Sequence, residues 1–220
     1  QFIGEPVDTI YTGTNVYWLH VDVKLARRIA TDATVPSDGA TPVTTHVATM
    51  VVDDNNVYSV TAPGDDPWYD QMLFALGAFP ASASTVVEIT DPVAGQTATV
   101  SVELWGSTHT PVPDEHHVQL EVNGTVIGDL HFDDSEVATL TGTVPAGVLI
   151  AGSNTLKVTL LTDTGVYVNI VLVNDWTVQY QRNNSAADGS LDISVAGQRV
   201  DATGLGDTPI IMAGGVWWLE

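Results

Sequence analysis

Residues 115–130 read EHHVQLEVNGTVIGDL, and this stretch decides the fold. Apolar residues at positions 118, 120 and 122 alternate with polar ones, which places the apolar side chains on one face of a strand. Asn123 and Gly124 follow directly, and both tolerate the positive φ angles that a two-residue type I′ turn requires. The stretch therefore predicts a β-hairpin whose second strand begins near residue 125.

The same signals recur along the chain from residue 84 onwards. Each predicted strand is bounded by Gly, Pro, Asn or Asp, at a spacing typical of β-sandwiches. No helical pattern separates these strands, which excludes a parallel βαβ arrangement. We therefore predict an all-β fold, an antiparallel two-sheet β-sandwich of jelly-roll type. The predicted strands are residues 84–90, 96–105, 115–122, 125–132, 136–143, 154–161 and 166–180, the last of them broken near residues 174–175.

Upstream of residue 84 the pattern is less regular. Residues 14–21 and 44–60 are rich in β-branched and aromatic residues and are predicted to add N-terminal strands to the sandwich. Apolar residues at positions 68, 72, 73 and 76 have helical spacing, so residues 68–76 are predicted to form a short helix.

These elements predict one principal domain. The β-sandwich is expected to span residues 1–182, with its core strands over about 84–182. Residues 183–190 are rich in Asn, Ser, Ala and Gly and are predicted to form a linker. Residues 191–220 are predicted to form a small appended C-terminal β segment or the start of a following domain.

The composition limits the possible partners. The 220 residues include 6 basic and 27 acidic side chains, for a formal net charge of −21, and no cysteine. An acidic surface repels nucleic acid and anionic membranes, so neither is an expected partner. Without cysteine there can be no disulfide, thiolate metal site or cysteine nucleophile. Clustered carboxylates suit salty or calcium-rich water, which favours a marine or halophilic source.

Several motifs occur in order along residues 3–182. They are GEPVDT at 4–9, YTGTNVYWL at 11–19, PGDDPWY at 63–69, HHVQLEVNG at 116–124, GSNTL at 152–156, DTG at 163–165 and VLVN at 171–174. Together they resemble the β-sandwich region next to the catalytic domain of large secreted gingipain-like cysteine peptidases of family C25. The Asn-Gly and Gly-x-Asn-Thr-Leu elements are also similar to those in sugar-binding jelly rolls.

This resemblance implies a non-catalytic accessory domain of a secreted multidomain protein, found outside the cell or at its surface. The implied partners are neighbouring domains of the same polypeptide. The first residues contain no signal peptide and look like a cut within a longer protein. The alternative function is that of a carbohydrate-binding module for a polysaccharide.

No catalytic residue is predicted, and the chain is expected not to be an enzyme. The triplet at 163–165 matches that of aspartic peptidases, but those enzymes need two such aspartates, so a β-turn is favoured. Glu103, Glu115 and Glu121 could form a glycosidase pair, yet chance pairs are expected among so many acids. The sequence contains neither a serine nucleophile elbow nor a zinc-peptidase motif.

Aromatic residues are the predicted ligand-binding groups. Sugar rings stack on exposed aromatic faces. Trp68 and Tyr69 lie in a predicted turn region, and Trp105 ends a strand beside a glycine, so these three are the candidate sugar platform. The alternative is that they pack in the core, as Trp176 is predicted to do.

The sequence contains candidate ligands for two kinds of metal site. Calcium prefers oxygen ligands from flexible loops, and the acidic pairs in predicted turns could hold a structural Ca²⁺; otherwise they are solvated turn residues. Adjacent His116 and His117 point to opposite faces of a strand and cannot bind one ion together. His109 and His131 could join one of them in a zinc site, although ordinary structural histidines are favoured. The candidate calcium ligands are Asp53, Asp54, Asp65, Asp66, Asp133 and Asp134.

Overall fold

The computed structural model describes residues 43–63 and 66–186, together with Val16. Within these residues the chain forms eleven strands and no helix, and hence no helix able to span a membrane. The strands are β1 Thr45–Val52, β2 Val57–Tyr58, β3 Trp68–Tyr69, β4 Gln71–Leu76, β5 Ala81–Ile89, β6 Ala98–Gly106, β7 His116–Val122, β8 Thr125–Phe132, β9 Val137–Val144, β10 Gly152–Leu160 and β11 Val168–Asn183.

These strands build two antiparallel sheets. One sheet has the order β1-β11-β6-β9, and the other has the order β5-β10-β7-β8. The long strand β11 has two partners on one edge, because β4 pairs with its first half and β1 with its second half. A small ribbon of β2 and β3 forms separately. The predicted all-β sandwich is confirmed.

The β7–β8 hairpin has the geometry that its sequence predicts. Asn123 and Gly124 adopt φ angles of 48° and 79°, and the strands on either side pair antiparallel. Val118, Leu120 and Val122 are fully buried, as their alternation requires. The hairpin therefore contributes one apolar face to the space between the sheets.

The core lies between the two sheets and takes alternate residues from each strand. Its largest fully buried side chains include Leu104, Leu120, Leu156 and Trp176, which come from both sheets. The prediction that Trp176 packs in the core is confirmed. Burial of such side chains is the main force that holds the sheets together.

The helix predicted over residues 68–76 is wrong. This segment forms β3 and β4, and in β4 the exposure alternates with a period of two. Leu73 and Ala75 enter the core, whereas Met72 and Phe74 point away from it. Apolar residues occupy both faces of β4, which hides the alternation and produces an accidental helical spacing.

The predicted break near residues 174–175 is a β-bulge. The pairing of β11 with β6 shifts between Val173 and Trp176, but β11 continues to Asn183. An extra residue bends the strand without ending it. The strand predicted over 14–21, apart from Val16, and the β segment predicted over 191–220 lie outside the described residues, as does the second half of the predicted linker, residues 187–190.

Candidate functional site

The β2–β3 ribbon covers part of the outer face of the first sheet. Tyr69 and Trp105 stack there, with ring centroids 5.7 Å apart, and Leu172 completes a small apolar cluster. Tyr69 is 5% exposed and Trp105 is 3% exposed, so neither presents an open ring face to a flat sugar. Trp68 is half-buried and meets the ring of Tyr58 edge-on at 5.2 Å.

A cleft of about 200 Å³ opens beside this stack. Trp105, Tyr69, Asp66 and Glu103 line it, and so does Asn174, whose Nδ2 donates to Glu103 Oε1 at 2.9 Å. The Trp105 Nε1 donor is buried and has no hydrogen-bond partner among the described residues. The cleft thus combines aromatic walls with carboxylate acceptors, which are groups that bind polar ligands.

Acidic groups crowd this cleft. Burial raises the pKa of Tyr69, and the negative charges of Glu103 and Asp66 raise it further. Burial also raises the pKa of Asp175, assisted by the charges of Glu103 and Asp53. The cleft therefore favours neutral or cationic ligands over anionic ones.

The aspartates predicted to bind calcium are dispersed. Asp66 accepts a hydrogen bond from the backbone nitrogen of Trp68 at 3.0 Å, and Asp53 and Asp54 are exposed after β1. Asp133 and Asp134 lie in the turn between β8 and β9. Asp65 lies outside the described residues. Calcium binding by these residues stays a prediction.

His116 and His117 have separate partners on the two sides of β7. Within the fold, His116 Nδ1 faces Asn169 Oδ1 at 2.7 Å and its ring packs on Phe132. His117 Nδ1 donates to Asp163 at 2.8 Å and its Nε2 donates to Asp129 at 3.0 Å. A histidine can donate from both nitrogens only as an imidazolium.

The carboxylates on either side of His117 shift its titration. Burial is the largest single influence and lowers its pKa, but the hydrogen bonds and charges of Asp163 and Asp129 together outweigh burial and raise it. Hydrogen bonds from Gln119 and then from His117 lower the pKa of Asp129. The hydrogen bond from His117 lowers the pKa of Asp163.

We expect this network to stabilise the fold most between about pH 4 and 6.5, the ordinary pKa values of Asp and His. The raised pKa of His117 gives a contribution that is complete below about pH 6.5 and is lost as the pH rises through the folded-state value. The lowered pKa values of the aspartates give a contribution that is present above about pH 4 and is lost as the pH falls.

Urea denaturation at a series of pH values measures this dependence. Replacing both Asp129 and Asp163 with Asn removes the charged partners of His117. In this double variant the free energy of unfolding should therefore fall less than in the wild type as the pH rises above about 6.5. The side chains of Asp129 and Asp163 are 50% and 59% exposed, so solvent screens their interactions with His117. The difference between the two pH profiles is therefore expected to be small. Identical pH profiles for the wild type and the double variant would contradict the assignment.

Another cluster of possible metal ligands lies where the segment after β6, the start of β7 and the β8–β9 turn meet. Candidate ligand atoms of His109, Glu115 and Asp134 lie within 4.8 Å of one another. His109 Nδ1 contacts Asp134 Oδ1, and Glu115 Oε1 accepts from the backbone nitrogen of Asp134 at 3.0 Å. The sequence singles out His109 and Asp134 for separate sites, and only the fold brings them to the buried Glu115.

The outer side of β4 is apolar and exposed. Phe79 is 76% exposed and Tyr167 is 72% exposed. Leu76 pairs with Val168 across the strands, and the Gly77 nitrogen donates to the Tyr167 carbonyl at 2.7 Å, so these side chains form one continuous surface. We call this surface the β4 face; its residues are Met72, Phe74, Leu76, Phe79, Tyr167 and Val168.

Comparison with known proteins adds a likeness in fold. No protein-family model and no curated protein matches the sequence. The dimeric latent PorU from Porphyromonas gingivalis contains a similar fold, with a TM-score of 0.56 and 12% sequence identity. The match covers 76% of this chain and 16% of the PorU chain. The predicted resemblance to gingipain-like peptidases is thus confirmed at the level of the fold.

Two carbohydrate-binding modules align more weakly. The CBM36-1 domain of a multidomain xylanase from the hindgut metagenome of Trinervitermes trinervoides has a TM-score of 0.37 and 15% identity, over 60% of this chain and 96% of that domain. A CBM36 module in complex with calcium and xylotriose has a TM-score of 0.33 and 16% identity, over 64% of this chain and 95% of the module. At these TM-scores the likeness supports no inference about ligands.

Proposed function

We propose that this chain is a non-catalytic accessory domain of a secreted multidomain protein, and that it packs through the β4 face against a neighbouring domain of the same polypeptide. The observation that carries this proposal is the continuous exposed apolar surface of β4 and the start of β11. Large exposed apolar patches are unfavourable in water and mark surfaces that bind another protein.

The character of the β4 face supports a protein partner. Its six residues carry no charge, although the chain as a whole has a formal net charge of −21. Aromatic residues and methionine, which this surface contains, are enriched at protein interfaces, whereas Asp and Glu are depleted there. Phe74 and Phe79 are therefore the expected anchors of the contact.

The fold comparison supports a partner in the same chain. The similar fold in PorU occupies only 16% of that polypeptide, so there it is one part of a much longer chain. A domain joined to its partner needs only a modest interface, because the linkage gives a high effective concentration. A surface of a few large apolar side chains is sufficient for such a contact.

Replacing Phe74 and Phe79 together with Thr should weaken binding to the separately expressed neighbouring domain at least about tenfold, because both apolar anchors are lost. Isothermal titration calorimetry measures this change. Phe74 is 48% exposed and Phe79 is 76% exposed, so neither substitution removes a core side chain and the fold should persist. The matched control replaces Val47 and Val51 of β1, which are similarly exposed, with Thr. Equal losses in the two double variants would contradict a specific role for the β4 face.

A second candidate function is binding of a neutral polysaccharide in the cleft. The carboxylates of Glu103 and Asp66 line the cleft together with Trp105, whose buried Nε1 has no hydrogen-bond partner among the described residues. This lining favours a sugar, because sugar hydroxyls can both accept and donate hydrogen bonds. The same calorimetry with soluble neutral polysaccharides distinguishes the two functions. Saturable sugar binding that the Phe74 and Phe79 replacements leave unchanged, without any binding to the neighbouring domain, would favour the cleft.

A further inference from the structure

Glu115 is fully buried immediately before β7, and only one of its carboxylate oxygens is hydrogen-bonded within the described residues. Oε1 accepts from the backbone nitrogen of Asp134, whereas Oε2 is buried without a partner. An unpaired buried carboxylate oxygen is costly, because it has lost its water without receiving a donor or a cation in exchange. This oxygen requires a partner that the described side chains do not supply.

The neighbouring His116 does not meet this need. Its Nε2 lies 3.8 Å from Glu115 Oε1, beyond hydrogen-bond distance, and is closer to the Asp134 carbonyl oxygen, at 3.1 Å. Its Nδ1 faces the amide oxygen of Asn169 at 2.7 Å, while Asn169 Nδ2 donates to the Glu115 carbonyl. Both ring nitrogens therefore face oxygens other than Glu115 Oε2.

The surroundings of Glu115 are rigid and provide two further ligands. The backbone of Asp134 is held by Glu115 through its nitrogen and by His116 through its oxygen. Asp133 Oδ1 accepts from the Glu115 nitrogen at 3.0 Å, which fixes the turn from the other side. The Asp134 carboxylate and the His109 imidazole lie close to Glu115 on its solvent side, and both of these side chains are at least half exposed.

We propose that Glu115, Asp134 and His109 bind one Zn²⁺ ion. One imidazole nitrogen and two carboxylates suit Zn²⁺, which takes nitrogen and oxygen ligands in a tetrahedron and can hold water in the fourth position. Ca²⁺ is a poorer match, because it takes six to eight ligands and all of them are oxygens. The ion would give the buried Glu115 carboxylate a cation partner and would tie the segment after β6 to the β8–β9 turn.

A second histidine cluster among the described residues has no buried carboxylate oxygen that lacks a partner. His117, Asp129 and His131 also lie close together. However, both ring nitrogens of His117 already donate to carboxylates, and neither Asp129 nor Asp163 has a buried unpaired oxygen. This cluster is complete without an ion and therefore serves as the control.

Calorimetric titration of the chelator-treated full chain with ZnCl₂ near neutral pH, where histidine is available as a ligand, tests the proposal. The wild type should bind one Zn²⁺ per chain. His109→Gln and Asp134→Asn should each weaken binding at least about tenfold, since each removes a ligand. Both side chains are at least half exposed, and Asn tolerates the φ of 57° at position 134, so these variants should fold.

His131→Gln, in the other cluster, should bind Zn²⁺ as the wild type does, and a large excess of CaCl₂ should leave the titration unchanged. Zn²⁺ should also raise the melting temperature of the wild type but not of His109→Gln, because binding to the folded state alone stabilises it. Absence of saturable binding, wild-type affinity in His109→Gln and Asp134→Asn, or loss of affinity in His131→Gln would overturn the proposal.

Discussion

Replacing Trp176 with Ala is expected to lower the free energy of unfolding by about 3–5 kcal/mol, because it leaves a large cavity between the two sheets. Trp176 is fully buried in β11, just after the bulge. Its Nε1 also donates to Asp70 Oδ2 at 3.0 Å, and Asp70 is itself buried. The substitution therefore removes both packing and a hydrogen bond to a buried carboxylate.

Trp176→Phe is the matched control for this prediction. It keeps most of the ring volume but loses the donor to Asp70, so it should cost about 1–3 kcal/mol. Urea denaturation monitored by circular dichroism gives both values. A cost below about 1 kcal/mol for Trp176→Ala would show that this side chain does not fill the core as the structure places it.

Replacing Gly106 with Ala is expected to destabilise the fold by about 3 kcal/mol, the upper part of the range for overpacked positions. A Cβ atom at this position would overlap the Asp134 carbonyl oxygen and the His116 Nε2 atom, and it would lie 2.8 Å from His116 Cδ2. These groups hydrogen-bond to each other, and the Gly106 nitrogen donates to the Glu136 carbonyl at 3.0 Å. None of them can move without breaking a hydrogen bond.

Gly128→Ala provides the comparison, because its added Cβ would meet the end of the Leu140 side chain at 2.9 Å. A flexible side chain can rotate away, so this variant should cost clearly less than Gly106→Ala. Thermal melts of the two variants measure the difference. Equal melting temperatures would contradict the close approach of β6 to the β8–β9 turn.

Local signals made the sandwich predictable. The Asn123-Gly124 pair and the alternation around it specify a hairpin without reference to the rest of the chain. The same reasoning failed at β4, because Met72 and Phe74 are apolar although they point away from the core. A sequence pattern cannot distinguish an apolar residue that faces the core from one that faces a partner.

The sites depend on contacts between distant parts of the chain. Tyr69 and Trp105 meet because the β2–β3 ribbon folds over the sheet, which no local pattern predicts. His117 and Asp163 are 46 positions apart, and the turn predicted at 163–165, where Gly165 has a φ of 83°, gives no sign of that pairing. Glu115 is one of many acids in the sequence, and no pattern there predicts its burial, which is a property of the fold.

Covalent footprinting with hydroxyl radicals tests the proposed docking role most directly, because it reports the solvent exposure of individual Met, Phe and Tyr side chains. The measurement compares the isolated chain with a polypeptide that also contains the neighbouring domain. We predict that labelling of Met72, Phe74, Phe79 and Tyr167 falls several-fold in the longer polypeptide, while labelling of the exposed Tyr58 on β2 stays the same. Equal labelling of the β4 face in the two samples would contradict its role as a docking surface.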